Sequence, residues 1–141
     1  IEMIKRYYPQ HRALERSRRG VATVELAICL PVILLLVVGA IEGSNFIFLK
    51  QAVTSAAFES AQVMTRVGGT KVKAESRATE VLSARSIDQS TISFTPANPD
   101  SVARGEQVTV SITAPVSANS IGLRWFFDNE TVTASVCMLR N

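Results

Sequence analysis

An uncharged apolar run near the N-terminus constrains this chain more than any other feature of its sequence. Residues 26–41 lie between Glu25 and Glu42 and contain 16 uncharged, mostly aliphatic side chains. At about 1.5 Å per residue these span roughly 24 Å as a helix, and the apolar residues on either side extend them to a bilayer core of about 30 Å. The sequence therefore predicts a membrane-spanning helix over residues 21–49.

Positive charge is concentrated on one side of this run. The first 20 residues hold six Lys or Arg and two Asp or Glu, whereas the whole chain holds 15 and 12. Basic residues mark the cytoplasmic end of a span. We therefore expect residues 1–20 to be a basic cytoplasmic leader and residues 50–141 to be an extracytoplasmic domain. The basic charge lies on a short head and the remainder is slightly acidic, so nucleic-acid binding is not supported.

Two other interpretations of the apolar run are less consistent with the sequence. A secretory signal peptide also has a basic head and an apolar core. Here the apolar core begins with Glu25, and no small-x-small cleavage site stands at its end. A buried helix of a soluble protein is disfavoured because 29 residues with two charges are long for one.

The helical pattern continues beyond the predicted span. Apolar residues recur three and four positions apart up to Val67, and Gly68 and Gly69 are expected to end the helix. These positions are Phe46, Leu49, Val53, Ala56, Ala57, Ser60, Val63, Met64 and Val67. A second helix is predicted over residues 71–86. Its apolar face would hold Val72, Ala74, Ala78, Val81 and Leu82.

Three later segments alternate apolar and hydroxyl residues, which is typical of half-buried strands. They cover residues 91–95, 107–113 and 131–139, and the Pro-, Gly- and Asn-rich segments between them are expected to be loops. Three strands with one apolar face need a cover. We therefore predict an α+β fold, in which a small antiparallel sheet is covered by the outer half of the long helix. The covering face would hold Phe58, Ala61 and residues 64–67.

The residues able to carry chemistry are few. His11, the single histidine, lies in the basic head, which excludes His-based metal and nucleophile sites beyond it. Cys29 would lie in the bilayer and Cys137 near the C-terminus, so an intrachain disulfide is not expected. We predict no enzyme activity, cofactor, metal or small-molecule substrate. Residues 124–127, Arg-Trp-Phe-Phe, are either an aromatic loop packed under the sheet or a partner-binding patch.

The boundary between the basic head and the span has features expected of a peptidase cleavage site. Gly20 has no side chain, and cleavage after it would make Val21 the new N-terminus and Glu25 the fifth residue. A lone glutamate in a bilayer is costly unless it is paired. The freed α-amino group would be cationic, and it would lie on the same helix face as Glu25 or could pair with the Glu25 of a neighbouring chain.

These residues carry a resemblance to a known family. The junction Gly20–Val21, with Glu25 at mature position five, resembles a type IV prepilin leader. The longer pattern is similar to the TadE-like proteins of the tight-adherence (Tad/Flp) pilus system. It consists of Glu25-Leu26-Ala27, Leu30-Pro31, Gly39 and Ile41-Glu42. The similarity covers residues 18–67 well and 105–141 loosely, and Leu26 and Gly43 stand where the family more often has an aromatic residue.

The resemblance implies a non-catalytic minor pilin or pseudopilin in a bacterial cytoplasmic membrane. Prepilin peptidase would cut between Gly20 and Val21, and Glu25 would serve subunit assembly. Pro31, Gly39 and Glu42 would belong to the membrane helix. Pro31 would be either a tolerated kink or an assembly feature, and Glu42 a headgroup-level anchor in preference to a proton relay. Other pilin-like subunits and the pilus machinery would be partners. An uncut, single-pass scaffold protein unrelated to pili is the alternative.

Overall fold

The computed structural model describes the backbone of residues 10–120 and 129–141, and the side chains of residues 20–120 and 129–141. The predicted α+β class is confirmed: a long apolar helix, a second helix and a three-stranded antiparallel sheet. The elements are α1 (Gln10–Thr65), α2 (Lys71–Ala84), β1 (Thr91–Thr95), a 3₁₀ turn (Pro99–Ser101), β2 (Gln107–Pro115), α3 (Val116–Asn119) and β3 (Thr131–Leu139).

The chain divides into two units, Ile1–Val38 and Gly39–Asn141. In the first unit, every described side chain from residue 20 to residue 37 is exposed. Within Gly20–Thr65, the most apolar 18-residue window has a mean hydropathy of 2.8, and none of it is buried. Residues 20–65 therefore form a helix that is long and apolar enough to cross a membrane.

Helix α1 begins earlier than predicted and ends at Thr65, two residues before the predicted last position, Val67. It includes Gln10, whereas the predicted span began at residue 21. Residues 10–19 contain no Pro or Gly and are rich in strong helix formers, so a polar segment can also be helical. At the other end Gly68 has a φ of +76°, which favours glycine. A Cβ at Gly69 would collide with the carbonyl oxygen of Val63.

Helix α2 is fixed by side-chain bonds at its first turn. The Thr70 hydroxyl accepts the backbone N–H of Lys73 at 3.4 Å, and the Asp100 carboxylate accepts that of Lys71 at 2.8 Å. The helix buries four of the five predicted residues, Ala74, Ala78, Val81 and Leu82. Val72 is 74% exposed, contrary to the prediction. It lies two residues before Ala74, about 200° around the helix, and so faces away from the core.

The sheet has the order β1-β2-β3, with both neighbouring pairs antiparallel. Strands β1 and β3 have the predicted limits, and β2 extends two residues further than predicted, to Pro115. The 3₁₀ turn and α3 lie in segments that were expected to be loops. Since β2 is the central strand, β1 and β3 are the two edges of the sheet.

One buried cluster unites α1, α2 and the sheet in the second unit. Helix α1 contributes small residues to it: Ala52, Ala56, Ala57 and Ala61 have no exposed surface. The sheet contributes Phe94, Val108, Val110, Ile112 and Val132. The predicted cover is therefore present, with two corrections. Val67 is 77% exposed because α1 has already ended, and Phe58 is 48% exposed because it lies on the solvent side of the helix.

Candidate functional site

The expected cleavage position lies within helix α1 and is open on its surface. Gly20 and Val21 are both exposed, and a Cβ at Gly20 would meet no heavy atom within 4 Å. No described part of the chain therefore covers the Gly20–Val21 bond. A Cβ at position 20 would meet no described part of the chain, so any requirement for glycine there must come from a molecule outside the chain.

Glu25 lies one turn after Val21 and is exposed among apolar neighbours. Leu26 and Ile28 are 59% and 66% exposed, so the surface around the Glu25 carboxylate is apolar. In the intact chain, the Val21 nitrogen belongs to a peptide bond and carries no charge. Cleavage before Val21 would place a cationic amine at position i−4 relative to Glu25, on the same helix face.

The middle of the span contains the predicted proline. Pro31 lies within α1, where it lacks the N–H that would bond one turn back. The helix nevertheless continues on both sides of it. Helix α1 therefore continues through Pro31. Pro31 is not brought together with any other candidate residue.

Glu42 lies in the second unit and is 4% exposed. Leu49, two turns further along the same face, is 2% exposed. Glu42 is not without a partner, because the residue takes part in an interaction within the chain. Sequence reasoning placed Glu42 at headgroup level and missed its burial, since a glutamate at the end of an apolar run carries no signal for tertiary contacts.

A pair of glycines leaves an open helix face beside Glu42. Gly39 and Gly43 are four residues apart, and a Cβ at either would meet no heavy atom within 4 Å. Small residues at this spacing let helix backbones approach closely in membranes. Gly39 was singled out from the sequence as part of the family pattern, whereas Gly43 was noted only as a departure from it. The four-residue spacing is the signal that could have identified the pair.

A polar cluster joins α1 to α2 further along the domain. Arg77 donates to Glu59 and to Glu80, each at 2.8 Å between Nε or Nη1 and a carboxylate oxygen. The hydrogen bonds to Glu80 and Glu59, and the charges of both carboxylates, raise the pKa of the Arg77 guanidinium. Beside it, the buried Ser60 hydroxyl donates to the Ala74 carbonyl oxygen at 2.9 Å. Through the Arg77–Glu59 and Ser60–Ala74 bonds, this cluster links the two helices.

The other predicted residues do not come together. Cys29 and Cys137 are free and exposed. Among the described residues, no group of three His, Cys, Asp or Glu side chains could hold a metal ion. The His11 side chain and residues 124–127 lie outside the described part of the chain. A shallow depression of about 690 Å³ lies beside Phe58, Arg85 and Val136.

Comparison with known families gives a match to the segment that contains these helix residues. The model of the TadE-like protein family matches residues 20–62. Residues 20–62 of the long helix are similar to the TadE-like protein family. The matched segment contains Gly20, Val21, Glu25, Pro31, Gly39 and Glu42. The TadE-like segment associates the chain with the Tad pilus system, which confirms the resemblance seen in the sequence.

The match ends inside α1. The TadE-like segment therefore covers the exposed apolar part of α1 and most of the part that lies in the second unit. Helix α2 and the sheet lie beyond it. Comparisons with curated proteins and with solved structures gave no match. The TadE-like match therefore gives no role to α2 or to the sheet.

Proposed function

We propose that this chain is a non-catalytic, pilin-like component of a Tad-type pilus assembly, a minor pilin or pseudopilin. Its apolar helix would anchor it in a bacterial cytoplasmic membrane and pack against other pilin-like subunits. One observation carries the proposal: residues 20–37 form a helix that is apolar, wholly exposed in the chain itself and part of the TadE-like segment. Such a helix needs lipid or other helices around it.

Cleavage by prepilin peptidase is the first step in this proposal. The basic leader, residues 1–20, would be cytoplasmic and the domain extracytoplasmic. Cutting between Gly20 and Val21 would create the amine that Glu25 lacks in the intact chain. An unpaired glutamate is costly inside a bilayer, so Glu25 favours a subunit arrangement that offers a cation.

The burial pattern supports an outer edge of the hydrocarbon region that is nearer the N-terminus than the sequence predicted. The sequence predicted a span over residues 21–49 and an outer domain over residues 50–141. Glu42 and Leu49 already have buried side chains within the second unit, which begins at Gly39. Residues 21–38 cover about 27 Å as a helix, close to a bilayer core of about 30 Å. We therefore place the outer edge of the hydrocarbon region near Gly39.

The open glycine face supports subunit packing at this same level. Gly39 and Gly43 leave the backbone of α1 accessible on one side. A helix of another pilin-like subunit could approach there more closely than a larger side chain would allow. Glu25 and the glycine pair would thus act at opposite ends of one helix contact.

Replacing Glu25 tests the proposal directly. Glu25→Gln keeps the size of the side chain and removes its charge, and Glu25→Asp keeps the charge. We expect Glu25→Gln to enter the membrane fraction at least as well as the parent, since the cost of a charge is removed. We expect it to lose co-purification with pilin-like subunits, whereas Glu25→Asp retains part of it. The measurement is affinity capture from membranes of cells that carry the Tad machinery.

The same cells provide the control and the contrary outcome. Glu130→Gln changes an exposed glutamate in the domain and should leave capture unchanged. Mass spectrometry of the parent should find Val21 at the N-terminus. An uncut N-terminus, together with full capture by Glu25→Gln, would instead support a membrane-anchored scaffold that is unrelated to pilin assembly.

A further inference from the structure

The three strands contain no charged residue. Their sequences are TISFT, QVTVSITAP and TVTASVCML. Edge strands in natural proteins are usually protected from pairing by charges, proline, bulges or a covering segment. Strand β3 is nine residues long, lacks proline and pairs with β2 in an unbroken register. It therefore lacks the usual sequence features that block a sheet edge.

Both sheet edges are open among the described residues. Strands β1 and β3 each pair with β2, and no described backbone group outside the sheet bonds to either of them. With respect to residues 10–120 and 129–141, each strand thus presents a row of unpaired N–H and C=O groups on its outer side. Such a row is a template for another strand.

The solvent-facing side of the sheet is neutral and hydroxyl-rich. Ser111 and Ser135 share a hydrogen bond of 2.8 Å between their hydroxyls, and Thr113 and Thr133 share one of 2.9 Å. Three rows of this face cross all three strands: Thr91, Thr113, Thr133; Ser93, Ser111, Ser135; and Thr95, Thr109, Cys137. Identical chains can bring such faces side by side without like-charge repulsion.

The inner side of β3 is incompletely covered. Val136 and Met138 are only partly buried, while Val108 and Val110 of the central strand have no exposed surface. The depression beside Val136 also borders the exposed ring of Phe58. Apolar surface therefore remains available next to the open edge.

We propose that β3 of one copy pairs in parallel with β1 of a second copy, so that neighbouring domains join into a continuous sheet. Strands β1 and β3 are both antiparallel to β2, and hence parallel to each other. A second copy displaced sideways in the same orientation brings its β1 beside β3. Every copy then keeps the same orientation, as chains anchored through the same helix in one membrane require.

Pairing of two β3 strands does not satisfy this requirement. Antiparallel β3–β3 pairing needs a two-fold axis perpendicular to the sheet. Helix α1 lies along the inner face of the sheet, because its buried residues recur from Leu49 to Met64, about four turns. A two-fold rotation about that axis would reverse α1 and point the N-terminal ends of the two helices in opposite directions. The geometry therefore favours the asymmetric contact between β3 and β1.

This pairing goes beyond the proposed function and rests on it only for the membrane anchor, since the sheet itself lies outside the TadE-like match. The contact is small, because β1 has five residues and parallel pairs are slightly weaker than antiparallel ones. Confinement to a membrane raises the effective concentration of the partners. We therefore expect pairing among membrane-bound full-length chains.

Native Cys137 allows a direct test on the full-length chain in membranes. Cys29→Ser removes the other thiol, and Thr91→Cys, Ser93→Cys or Thr95→Cys then places a second thiol on β1. Within one chain β2 separates these positions from Cys137 by at least about 10 Å, too far for a disulfide. Directly paired strands bring Cβ atoms to about 4.5–5.5 Å. We expect mild oxidation of at least one variant to give a ladder of dimers and larger oligomers.

The controls separate strand pairing from random collision. Thr79→Cys on exposed α2 should crosslink at least about tenfold less, because its thiol lies outside any paired edge. Cys137→Ser should abolish the ladder. Val136→Lys puts a charge on the inner side of the edge and should lower the yield at least about tenfold. Val72→Lys, on a side chain 74% exposed, should not lower it.

Three results would overturn the proposal. One is a ladder no stronger than that of Thr79→Cys, and another is a yield that Val136→Lys leaves unchanged. The third is strong dimerisation through Cys137 alone, which would indicate β3–β3 pairing. Adding Glu25→Gln should leave the ladder intact. Loss of subunit capture therefore tests the proposed function, whereas loss of the ladder tests the sheet pairing.

Discussion

Gly20 illustrates how a single residue can matter without any contact inside the chain. Its surroundings are open, so a larger side chain would be tolerated by the fold. It lies at the border between a basic head and an apolar helix that belongs to the TadE-like segment. If glycine is required here, the requirement would therefore come from the proposed peptidase and not from folding of the chain.

Substitution of Gly20 separates these two effects. Gly20→Leu should leave an uncut precursor, since the proposed peptidase would have no room for a bulky side chain at the scissile position. Gly20→Ala should be cut at least in part. Both proteins should reach the membrane at the parental level, because helix α1 accommodates either residue. Mass spectrometry of the N-terminus is the measurement, and normal removal of the leader from Gly20→Leu would contradict the proposed cleavage.

At the scale of elements, the small residues of α1 decide how closely it packs in the domain. Ala56 is fully buried, whereas Ala84 at the end of α2 is exposed. Ala56→Leu should lower the free energy of unfolding by about 1–3 kcal/mol, because it overfills a packed interface. Ala84→Leu should change it by less than about 0.5 kcal/mol. Pulse proteolysis of the full chain in mild detergent across a urea series would measure both, and equal effects would show that α1 is loosely packed.

Local sequence patterns predicted most elements, and tertiary contacts explain the misses. The limits of β1 and β3 follow from alternation of apolar and hydroxyl residues. Strand β2 was predicted two residues short because proline usually ends a strand, although Pro115 here still pairs opposite Thr131. The burial of Glu42 could not be predicted, since its place in an apolar run indicates lipid or headgroups. Its actual surroundings depend on how the whole second unit folds.

At the scale of the whole molecule, α1 belongs both to the anchor and to the domain. The second unit begins at Gly39, and Leu49 is 2% exposed within it. A fragment of residues 39–141 should therefore fold as a soluble domain. A fragment of residues 50–141 loses the burial of Leu49, worth about 1.5–3 kcal/mol, so its melting midpoint should fall by at least about 6 °C. Circular dichroism melts would measure the difference.

The contribution of the rest of α1 follows from a third fragment, residues 70–141. It lacks every buried side chain of α1 and leaves the inner face of the sheet in water, so it should show no cooperative melt. Within residues 39–141, Leu49→Ala should lower the midpoint, as removal of residues 39–49 does. Ile47→Ala, at a side chain 58% exposed, should leave it nearly unchanged. Equal, cooperative melts for all three fragments would show that α1 is only a stalk, and a domain built around the membrane helix would then be wrong.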